Sequence, residues 1–551
     1  MPKPLLENTD TLTLLQGETG LHDVVREHAA ADGNRVAINF YGREIGFDTL
    51  DDQVRRLATA LVDRGCKPGE RIGVMLQPVP QCVVVYLAAL SIGLVIVPID
   101  PMSKRLELEH YLIDSGVSVL VTMDYLLETV QAADGFDKIR DVLATGFHDF
   151  APASPDFPFH PLMQKTAELT CDSLSLSTLI EQTEPRDLPT LDLDAPAFIL
   201  YTGGTTGLSK GCLHTHRDML FCGNGQAQVN IQGIGPGSRL LGAWPLTHIS
   251  GISALLCTLV AGGTSIMLCR WDGAAAATAY RLLKPNFTML PVPCYADLLE
   301  HFKTVEVSHD ALERSLVIPF AREISDGLVG AWKTATGIDM QEWGYGSSEY
   351  ANYCATGVTL PLPRPACTTA GSPFPGVAIR IVDFDNGQDL AEGEIGEIVT
   401  RSPAQLKRYW NNPAKTAETI VDGWVHMNDR GYVKDGVLYF IGKVSEVVKV
   451  SGYTVSLAEI EVFGLRHDAI ESIAAIGVPD PAKGQKIKAF VTLKPGQAVT
   501  AKELEDWFAD NLAVFKCPTV ELRQALPMSG AGKILKRVLA TEEKQKRSLA
   551  D

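Results

Sequence analysis

Apolar residues in the first part of the chain fall into short runs that alternate between strand-like and helix-like spacing. Residues 71–76 predict a buried strand, residues 80–90 a helix and residues 94–99 the next strand. A strand, a helix and a second strand in that order are typical of parallel sheets covered by helices. The pattern therefore predicts an α/β fold, with a large N-terminal domain of parallel sheets and helices.

The pattern changes after Gly371 and again near Leu457. Residues 377–382 and 393–399 alternate apolar and polar positions between glycine turns, which predicts a small β-rich subdomain. From Leu457 onward, the order helix, strand, strand, helix predicts a smaller α+β domain. Residues 145–188 are rich in Pro, Ser, Thr and Asp, and they predict an irregular connection.

The length of 551 residues exceeds what one hydrophobic core supports, so two or more domains are expected. We place the boundary near residues 443–445, with an N-terminal domain at 1–443 and a C-terminal domain at 446–551. The second unit has about a hundred residues, which is a normal size for an independent domain.

Bulk composition is that of a globular protein, since 46% of the residues are hydrophobic and 21% are charged. The net charge of −17 argues against a nucleic-acid partner, because nucleic-acid-binding proteins usually present a basic face. The 11 cysteines show no Cys-x-x-Cys spacing. They predict neither a disulfide framework nor a zinc ribbon, and they suit a reducing compartment.

No apolar segment predicts export or membrane insertion. The N-terminus lacks the apolar region of a signal peptide. The most apolar run, residues 83–99, is slightly short for a membrane span and contains Gly93 and Pro98. We therefore expect a cytoplasmic protein without integral membrane association, and a homodimer is left open.

Glycines, hydroxyl side chains and one lysine are concentrated at residues 201–211, directly after the apolar run 197–201. Glycine N–H groups can form a concavity that binds anions, and Lys210 adds a positive charge. A loop that holds phosphate is the natural interpretation. The spacing matches neither a P-loop nor a dinucleotide-binding fingerprint. Taken alone, the loop has a flexible surface linker as an equal alternative.

This loop resembles the phosphate loop of the adenylate-forming superfamily, which includes acyl-CoA synthetases, stand-alone adenylation domains and beetle luciferases. Further segments resemble that superfamily in the same order: Pro-Leu-Thr-His-Ile-Ser-Gly at 245–251, Gly-Tyr-Gly-Ser-Ser-Glu at 344–349, Asp-Gly-Trp at 422–424 with Asp-Arg-Gly-Tyr at 429–432, residues 442–461, and Gly-Ala-Gly-Lys-Ile at 530–534. The resemblance extends from about Leu21 to the end of the chain.

The resemblance implies a reaction in which a carboxylate attacks the α-phosphorus of ATP and gives an acyl-adenylate and pyrophosphate. Lys533 would be the adenylation lysine, carried on a mobile C-terminal domain. Lys449 would contact the adenylate in the second half-reaction, and His248 would lie between the acyl pocket and the adenylate. Magnesium would bridge phosphate oxygens, with Glu349 as the stronger and Thr205 as the weaker candidate ligand.

The resemblance also implies two sets of binding residues. The ATP-binding residues would be Thr202, Gly203, Gly204, Thr205, Thr206, Gly207, Lys210, Tyr345, Gly346, Ser347, Ser348, Glu349, Asp429 and Lys443. The CoA-binding residues would be Ser451, Gly452 and Tyr453, because Gly452 would let a pantetheine arm pass close to the backbone.

Each of these residues has an ordinary structural role as its alternative. Glu349 would be a solvated residue at a helix start, Tyr345 a core side chain and Asp429 a turn residue. His248 would be a satisfied structural histidine, and Lys533 a solvated lysine. His214 and His216 form a His-x-His pair, but no third ligand supports a metal site there.

Several positions depart from the pattern of the superfamily. Lys443 stands where an arginine usually contacts ribose, which keeps the charge and loses the planar fork. Ser445 stands at the expected hinge. Met427-Asn428 replaces a Thr-Gly pair, so we expect a different local turn. Residues 315–320 place larger side chains, Leu316 and Val317 among them, where an adenine-facing element is expected, and these could narrow the nucleotide pocket.

The function that these features favour is an ATP-dependent ligase of a small-molecule carboxylic acid and coenzyme A. CoA is preferred because the chain ends soon after Lys533. No aspartate stands between Trp244 and Leu256 to pair with an α-amino group, while Ile252 and Leu255 suggest an apolar acyl or aryl group. The alternatives are an acyl-AMP ligase that loads a carrier protein, a luciferase-like oxidation, and a non-catalytic binding protein that retains the fold.

Overall fold

The computed structural model describes residues 4–168, 173–202, 208–242, 244–318, 324–358, 369–443, 447–527 and 534–548. The α-helices of these ranges are α1 Leu21–Asp32, α2 Phe47–Asp63, α3 Pro80–Ser91, α4 Arg105–Ser115, α5 Leu127–Gln131, α6 Leu176–Gln182, α7 His216–Gly225, α8 Ile249–Ala261, α9 Gly273–Leu283, α10 Val292–Phe302, α11 Asp326–Thr336, α12 Pro413–Thr419, α13 Leu457–Gly464, α14 Ala501–Asn511 and α15 Lys536–Ser548.

The earlier strands are β1 Leu6–Glu7, β2 Val36–Phe40, β3 Arg43–Gly46, β4 Arg71–Met75, β5 Val95–Pro98, β6 Val119–Met123, β7 Asp141–Thr145, β8 Leu174–Ser175, β9 Pro196–Thr202, β10 Lys210–Thr215, β11 Arg239–Gly242, β12 Thr264–Met267, β13 Phe287–Pro291, β14 Arg314–Ile318 and β15 Met340–Glu342. The later strands are β16 Gly344–Ser347, β17 Asn352–Thr356, β18 Thr369–Pro373, β19 Ala378–Val382, β20 Gly396–Arg401, β21 Arg408–Tyr409, β22 Ile420–Val421, β23 Trp424–Lys434, β24 Val437–Lys443, β25 Val447–Val450, β26 Tyr453–Ser456, β27 Ile470–Asp480, β28 Gly484–Leu493 and β29 Thr519–Leu522.

Two largely parallel sheets form the core of the N-terminal part. One has the order β21-β10-β9-β5-β4-β6-β7-β8, and the other has the order β15-β14-β13-β11-β12-β2-β3. Ile72 and Val74 in β4 are fully buried, as expected for a strand covered by helices on both faces. The predicted strand, helix and strand at residues 71–99 are confirmed as β4, α3 and β5, with ends that shift by one residue.

The predicted β-rich subdomain is confirmed as an antiparallel sheet with the order β1-β19-β20-β23-β24-β18-β17-β16. The strand predicted at residues 393–399 begins three residues later, at Gly396. The reason is a turn at Gly393, which has a φ of 88° and whose N–H donates to the Val433 carbonyl at 2.8 Å.

The prediction of an irregular connection at residues 145–188 was wrong in part. Helix α6 lies within it, and β8 extends the first sheet by pairing in parallel with β7. The Ser175 Oγ accepts the Thr178 N–H at 3.2 Å and so caps the start of α6. The side chains of Leu176, Leu179 and Ile180 in this short helix pack inward. The helix was not predicted because the composition of the segment is mostly polar.

The order helix, strand, strand, helix predicted after Leu457 is confirmed as α13, β27, β28 and α14. These elements enclose an apolar cluster of their own, which includes Ile460, Phe463, Leu504 and Phe508. The predicted boundary falls beside residues 444–446, which lie outside the described residues and include Ser445. No helix in the described ranges has the length and apolar character needed to cross a bilayer.

Gly371 tests how tightly the antiparallel sheet is built. Its φ is 99°, and a Cβ atom would lie 1.8 Å from the Thr356 carbonyl oxygen. We predict that Gly371→Ala lowers the free energy of unfolding by about 2–6 kcal/mol, from backbone strain and overpacking together.

Gly387→Ala is the matched control, because Gly387 has a φ of 70° and nothing within 4 Å of the added Cβ. Gly387→Ala should lower the free energy of unfolding by about 1–2 kcal/mol, from the left-handed backbone conformation alone. Calorimetric midpoints of the two variants measure the difference. Equal shifts would contradict the tight packing at Gly371.

Candidate active site

A cavity of about 860 Å³ lies between the carboxyl ends of the parallel strands, the antiparallel sheet and the hairpin β25–β26. A volume of this size suits a ligand site. The predicted site residues on its wall are Thr202, Lys210, His248, Tyr345, Gly346, Ser347, Ser348, Glu349, Asp429, Lys449, Ser451, Gly452 and Tyr453.

The remaining predicted site residues are not among the described residues that line this wall. Gly203, Gly204, Thr205, Thr206, Gly207 and Lys533 lie outside the described residues. Lys443 ends β24, where its backbone pairs with Asp429 of β23. These residues remain predictions.

The predicted phosphate loop connects two antiparallel strands rather than a strand and a helix. Thr202 at the end of β9 pairs with Lys210 at the start of β10, and both residues lie on the cavity wall. Burial, followed by the neighbouring Lys415 ammonium, lowers the pKa of Lys210, while the Glu349 carboxylate acts in the opposite direction. The site therefore collects positive charge beside Glu349.

Glu349 is a buried carboxylate, only 4% exposed, that opens toward the cavity. Its Oε1 accepts the Tyr409 hydroxyl at 3.0 Å and the Thr202 hydroxyl at 3.4 Å. Burial and the Glu349 charge raise the pKa of Tyr409 far above its ordinary value, so this phenol remains a donor. Sequence reasoning missed Tyr409, since the two-residue strand β21 has no periodic signal.

Backbone contacts fix the segment that carries Glu349. The ring Nε2 of His214, a fully buried residue, lies 2.7 Å from the Ser348 carbonyl oxygen, and the Leu406 N–H donates to the Glu349 carbonyl at 2.7 Å. His214 of the His-x-His pair thus supports the carboxylate-bearing turn. This arrangement restricts the direction in which Glu349 faces.

Tyr345 and Asp429 form a second polar pair on the wall. The Tyr345 hydroxyl donates to Asp429 Oδ2 at 2.7 Å, and both side chains are buried. Asn428, which precedes Asp429 inside β23, has a φ of 54°, in the left-handed region that asparagine tolerates better than most residues. Its N–H donates to Glu397 Oε1 at 2.9 Å, and it lies where the register between β20 and β23 shifts, so the expected turn is an irregularity within the strand.

His248 precedes helix α8 and caps it. Its Nδ1 accepts the Ser250 N–H at 3.3 Å, which assigns the proton of the neutral ring to Nε2. Burial, followed by the nearby Lys449 charge, lowers the pKa of His248 to about 4. The imidazole is therefore neutral at pH 7, and Lys449 lies close enough to act on it.

The turn between β25 and β26 faces the cavity. Ser451 and Gly452 have φ values of 50° and 91°, and Val450 pairs with Tyr453 across them. Two consecutive left-handed residues define a type I′ hairpin, which alone accounts for the glycine at 452. The Ser451 N–H donates to the Lys483 carbonyl at 2.9 Å and ties the turn to its own domain.

An aromatic and apolar part of the wall includes Trp244, Tyr353, Cys294 and Ile318. The Trp244 indole N–H donates to the Met289 carbonyl at 2.7 Å, and the buried Trp343 stacks on Tyr353 with ring centroids 4.9 Å apart. This wall is rigid, because each ring is held by a hydrogen bond or by stacking.

Two expectations about this region need correction. Leu316 and Val317 lie inside β14, paired between β13 and β15 and fully buried, so these two side chains do not narrow the cavity. Ile252 and Leu255 are buried core residues of α8 and are not on the described cavity wall. Both pairs are apolar because they pack the protein interior.

Comparison with known proteins covers most of the chain. The family described as AMP-binding enzyme matches residues 25–410, and the family described as AMP-binding enzyme C-terminal domain matches residues 459–533. A long-chain-fatty-acid–CoA ligase of Bacillus subtilis (strain 168) is 29% identical over 535 residues, which cover 95% of this chain and 94% of that protein.

Two further proteins are similar to this chain, one in sequence and one in structure. The fatty acid–[acyl-carrier-protein] ligase ScoC of Streptomyces coeruleorubidus is 28% identical over 521 residues, which cover 93% of this chain and 94% of that protein. A double mutant of the o-succinylbenzoate CoA synthetase MenE from Bacillus subtilis has a TM-score of 0.76 at 22% identity, covering 93% of this chain and 97% of its own. The structural similarity establishes a shared fold.

Tyr409→Phe removes the hydroxyl that holds Glu349. Hydrogen bonds to charged groups contribute about 1.5–3 kcal/mol, so affinity for ATP should fall roughly tenfold or more. Calorimetric titration with a non-hydrolysable ATP analogue measures this loss. Tyr432→Phe is the control, because Tyr432 stacks on Tyr439 away from the cavity wall. An equal effect of both variants would remove Tyr409 from the site.

His248 should remain neutral from pH 8 to about pH 5. The unfolded chain binds this proton near pH 6.5 and the folded protein only near pH 4, so His248 lowers stability as pH falls between those values. Nitrogen-15 NMR of histidine-labelled protein, with His248→Gln to assign the signal, measures the titration. A midpoint near 6.5 would contradict the neutral imidazole.

Proposed function

Because this chain belongs to the AMP-binding enzyme family, we propose that it joins a carboxylic acid to coenzyme A in two steps that consume ATP. The observation that supports this proposal most is that Glu349, the Tyr345–Asp429 pair, His248 and Lys449 share one cavity. Such a reaction needs residues that neutralise phosphate charge, bind the nucleotide and bind the acyl group around one centre.

In the first step, a carboxylate oxygen of the acid bonds to the α-phosphorus of ATP and the bond to pyrophosphate breaks. The products are an acyl-adenylate and pyrophosphate. Both reactants are anionic, so positive charge must be placed where the charges meet. Lys210 at the hairpin supplies one ammonium group, and Lys533 is proposed to supply the other.

The described residues fit magnesium in the form in which it usually binds nucleotides. Magnesium commonly takes one or two carboxylates, with substrate phosphates and waters completing its shell. Glu349 offers one buried carboxylate beside Thr202, and Thr205 remains the weaker proposed ligand. The ion would neutralise phosphate charge. Asp429 is proposed to accept hydrogen bonds from the ribose, with Tyr345 holding its carboxylate in place.

In the second step, the CoA thiol adds to the acyl carbon, its proton leaves, and AMP departs as the thioester forms. The neutral His248 ring, on the cavity wall, is proposed to orient the acyl carbonyl. Lys449 is proposed to neutralise the departing phosphate. Ser451, Gly452 and Tyr453 are proposed to border the path of the pantetheine arm.

A carrier protein is the second candidate acceptor, and the similarity to ScoC favours it. The chemistry differs only in what presents the thiol, since carrier proteins and CoA both offer a phosphopantetheine arm. The apolar wall of Trp244 and Tyr353 suits an aliphatic or aryl acid in either case. A cytoplasmic location and a homodimer remain predictions.

Pyrophosphate exchange into ATP, measured with a panel of short, long and aromatic acids, tests the first step. Thioester formation is then measured with CoA and, in parallel, with a phosphopantetheinylated carrier protein. We expect exchange with at least one apolar acid and transfer to CoA. Transfer to the carrier alone would select the second acceptor, and no exchange with any acid would contradict the proposed reaction.

The two lysines should separate the two steps. Lys533→Met should slow acyl-adenylate formation by roughly 100-fold or more, because it removes a charge that acts on the reacting phosphate. Lys449→Met should leave pyrophosphate exchange close to wild type and slow thioester formation. Rapid-quench measurement of each half-reaction shows the split.

Lys494→Met is the control, because Lys494 is an exposed lysine of the same domain. If Lys449→Met and Lys533→Met slowed the same half-reaction, the division of labour between the two lysines would be wrong.

A further inference from the structure

Helix α4 of the N-terminal part meets residues 511–516 of the C-terminal part through a buried ionic contact. The Glu107 carboxylate accepts the Lys516 ammonium at 2.7 Å through Oε1, and it accepts the Ala513 N–H at 2.7 Å through Oε2. Lys516 also pairs with Glu459 of its own domain at 3.0 Å. Leu106, the neighbour of Glu107, packs into the apolar cluster of the C-terminal elements.

The three charges are almost completely removed from solvent. Glu459 is 1% exposed, Glu107 2% and Lys516 6%. Burial opposes the charge on Lys516, but the Glu107 and Glu459 carboxylates outweigh it and raise the pKa of the ammonium well above its ordinary value. Buried ion pairs contribute more to the choice of one arrangement than to overall stability in the best-documented cases.

Glu107 is itself held rigidly. Its Oε2 also accepts the Lys104 N–H at 3.0 Å, a bond that fixes the side chain against the first turn of α4. A carboxylate fixed at this helix start presents its second oxygen in one direction only. Lys516 is therefore bound at a defined point on the N-terminal part.

Glu107, Phe515 and Lys516 lie on the cavity wall, and a pair of aromatic rings links this contact to the hairpin β25–β26. Phe515, next to Lys516, stacks on Tyr453 with ring centroids 3.9 Å apart and an interplanar angle of 11°. Tyr453 belongs to the hairpin whose other strand carries Lys449. The position of Lys516 thus determines where Tyr453 and Lys449 stand relative to the cavity.

From these contacts we propose that Glu107 is a positioning residue for the thioester-forming step. Its ion pair with Lys516 holds the C-terminal domain in the orientation that presents Lys449 and the Ser451–Gly452 turn to the cavity. This inference rests on the proposed function. It adds a residue of the N-terminal domain, on the cavity wall, whose charge acts on one half-reaction and not on the other.

Glu107→Gln is the direct test. Glutamine keeps the size of the side chain and an oxygen that can accept from backbone N–H groups, but it lacks the charge. We expect thioester formation to slow by roughly 5- to 150-fold, the usual range for coupling between two sites. The rate of acyl-adenylate formation should change by less than about twofold, which is below that range. Single-turnover transfer from preformed acyl-adenylate to CoA measures the first rate, and pyrophosphate exchange measures the second.

Lys516→Met and the double variant Glu107→Gln/Lys516→Met complete a mutant cycle. The double variant should be no slower in thioester formation than the slower single variant, since both changes remove the same interaction. Glu109→Gln is the matched control on the same helix. Glu109 also reaches across to Arg466, at 3.1 Å, but its arginine partners are 40–45% exposed, so its loss should matter little.

Hydrogen exchange of the full-length protein without substrates provides a readout that needs no activity. We expect faster exchange of the Ala513 amide and of α4 in Glu107→Gln and not in Glu109→Gln. Unchanged exchange, equal slowing of both half-reactions, or an equal effect of Glu109→Gln would each overturn the proposal. Failure of wild-type pyrophosphate exchange would instead contradict the proposed function, and hydrogen exchange would still decide the role of Glu107.

Discussion

The cavity depends on one buried carboxylate, Glu349, whose oxygen accepts hydrogen bonds from two neighbouring hydroxyl groups. An ionised carboxylate loses a large hydration energy on burial unless donors replace the water. Tyr409 and Thr202 are those donors, and they come from β21 and β9, two strands of the same parallel sheet. The carboxylate therefore joins the phosphate-loop hairpin to the antiparallel sheet, where Glu349 follows β16.

Ends of strands supply much of the cavity wall, and His248 at the start of α8 adds to it. Thr202 and Lys210 lie at the paired ends of β9 and β10, and Pro291 and Ile318 lie at the ends of β13 and β14. Carboxyl ends of parallel strands leave a crevice in which loops can differ without disturbing the core. Anion-binding and apolar groups can face each other across that crevice.

Sequence patterns predicted the parts of the fold that rest on local periodicity. The β4–α3–β5 unit and the order of elements after Leu457 follow from apolar spacing alone, because each element buries a regular face. The family resemblance located Tyr345, Glu349 and Asp429, which the structure brings to one cavity. Helix α6 was missed because its seven residues are too few for a clear helical period.

What could not be predicted are pairings between residues that are distant in the chain. Tyr409 lies 60 residues from Glu349, and Ala513 lies 406 residues from Glu107, so no local pattern links them. Leu316 and Val317 illustrate the opposite case. Their size suggested an obstructed pocket, but the parallel register of β14 between β13 and β15 directs them into the core. Side-chain identity alone does not say which face of a strand meets a ligand.

The interface proposed at Glu107 suits a C-terminal domain that is proposed to move between the two half-reactions. An apolar interface of the same area would bind regardless of small shifts, whereas an ion pair requires one geometry and loses its attraction when displaced. In the proposed motion between the two half-reactions, Lys516 would keep Glu459 as a partner, because both residues belong to the C-terminal domain. A contact of this kind would select one orientation without fixing the domain there permanently, as the proposed two half-reactions in one cavity require.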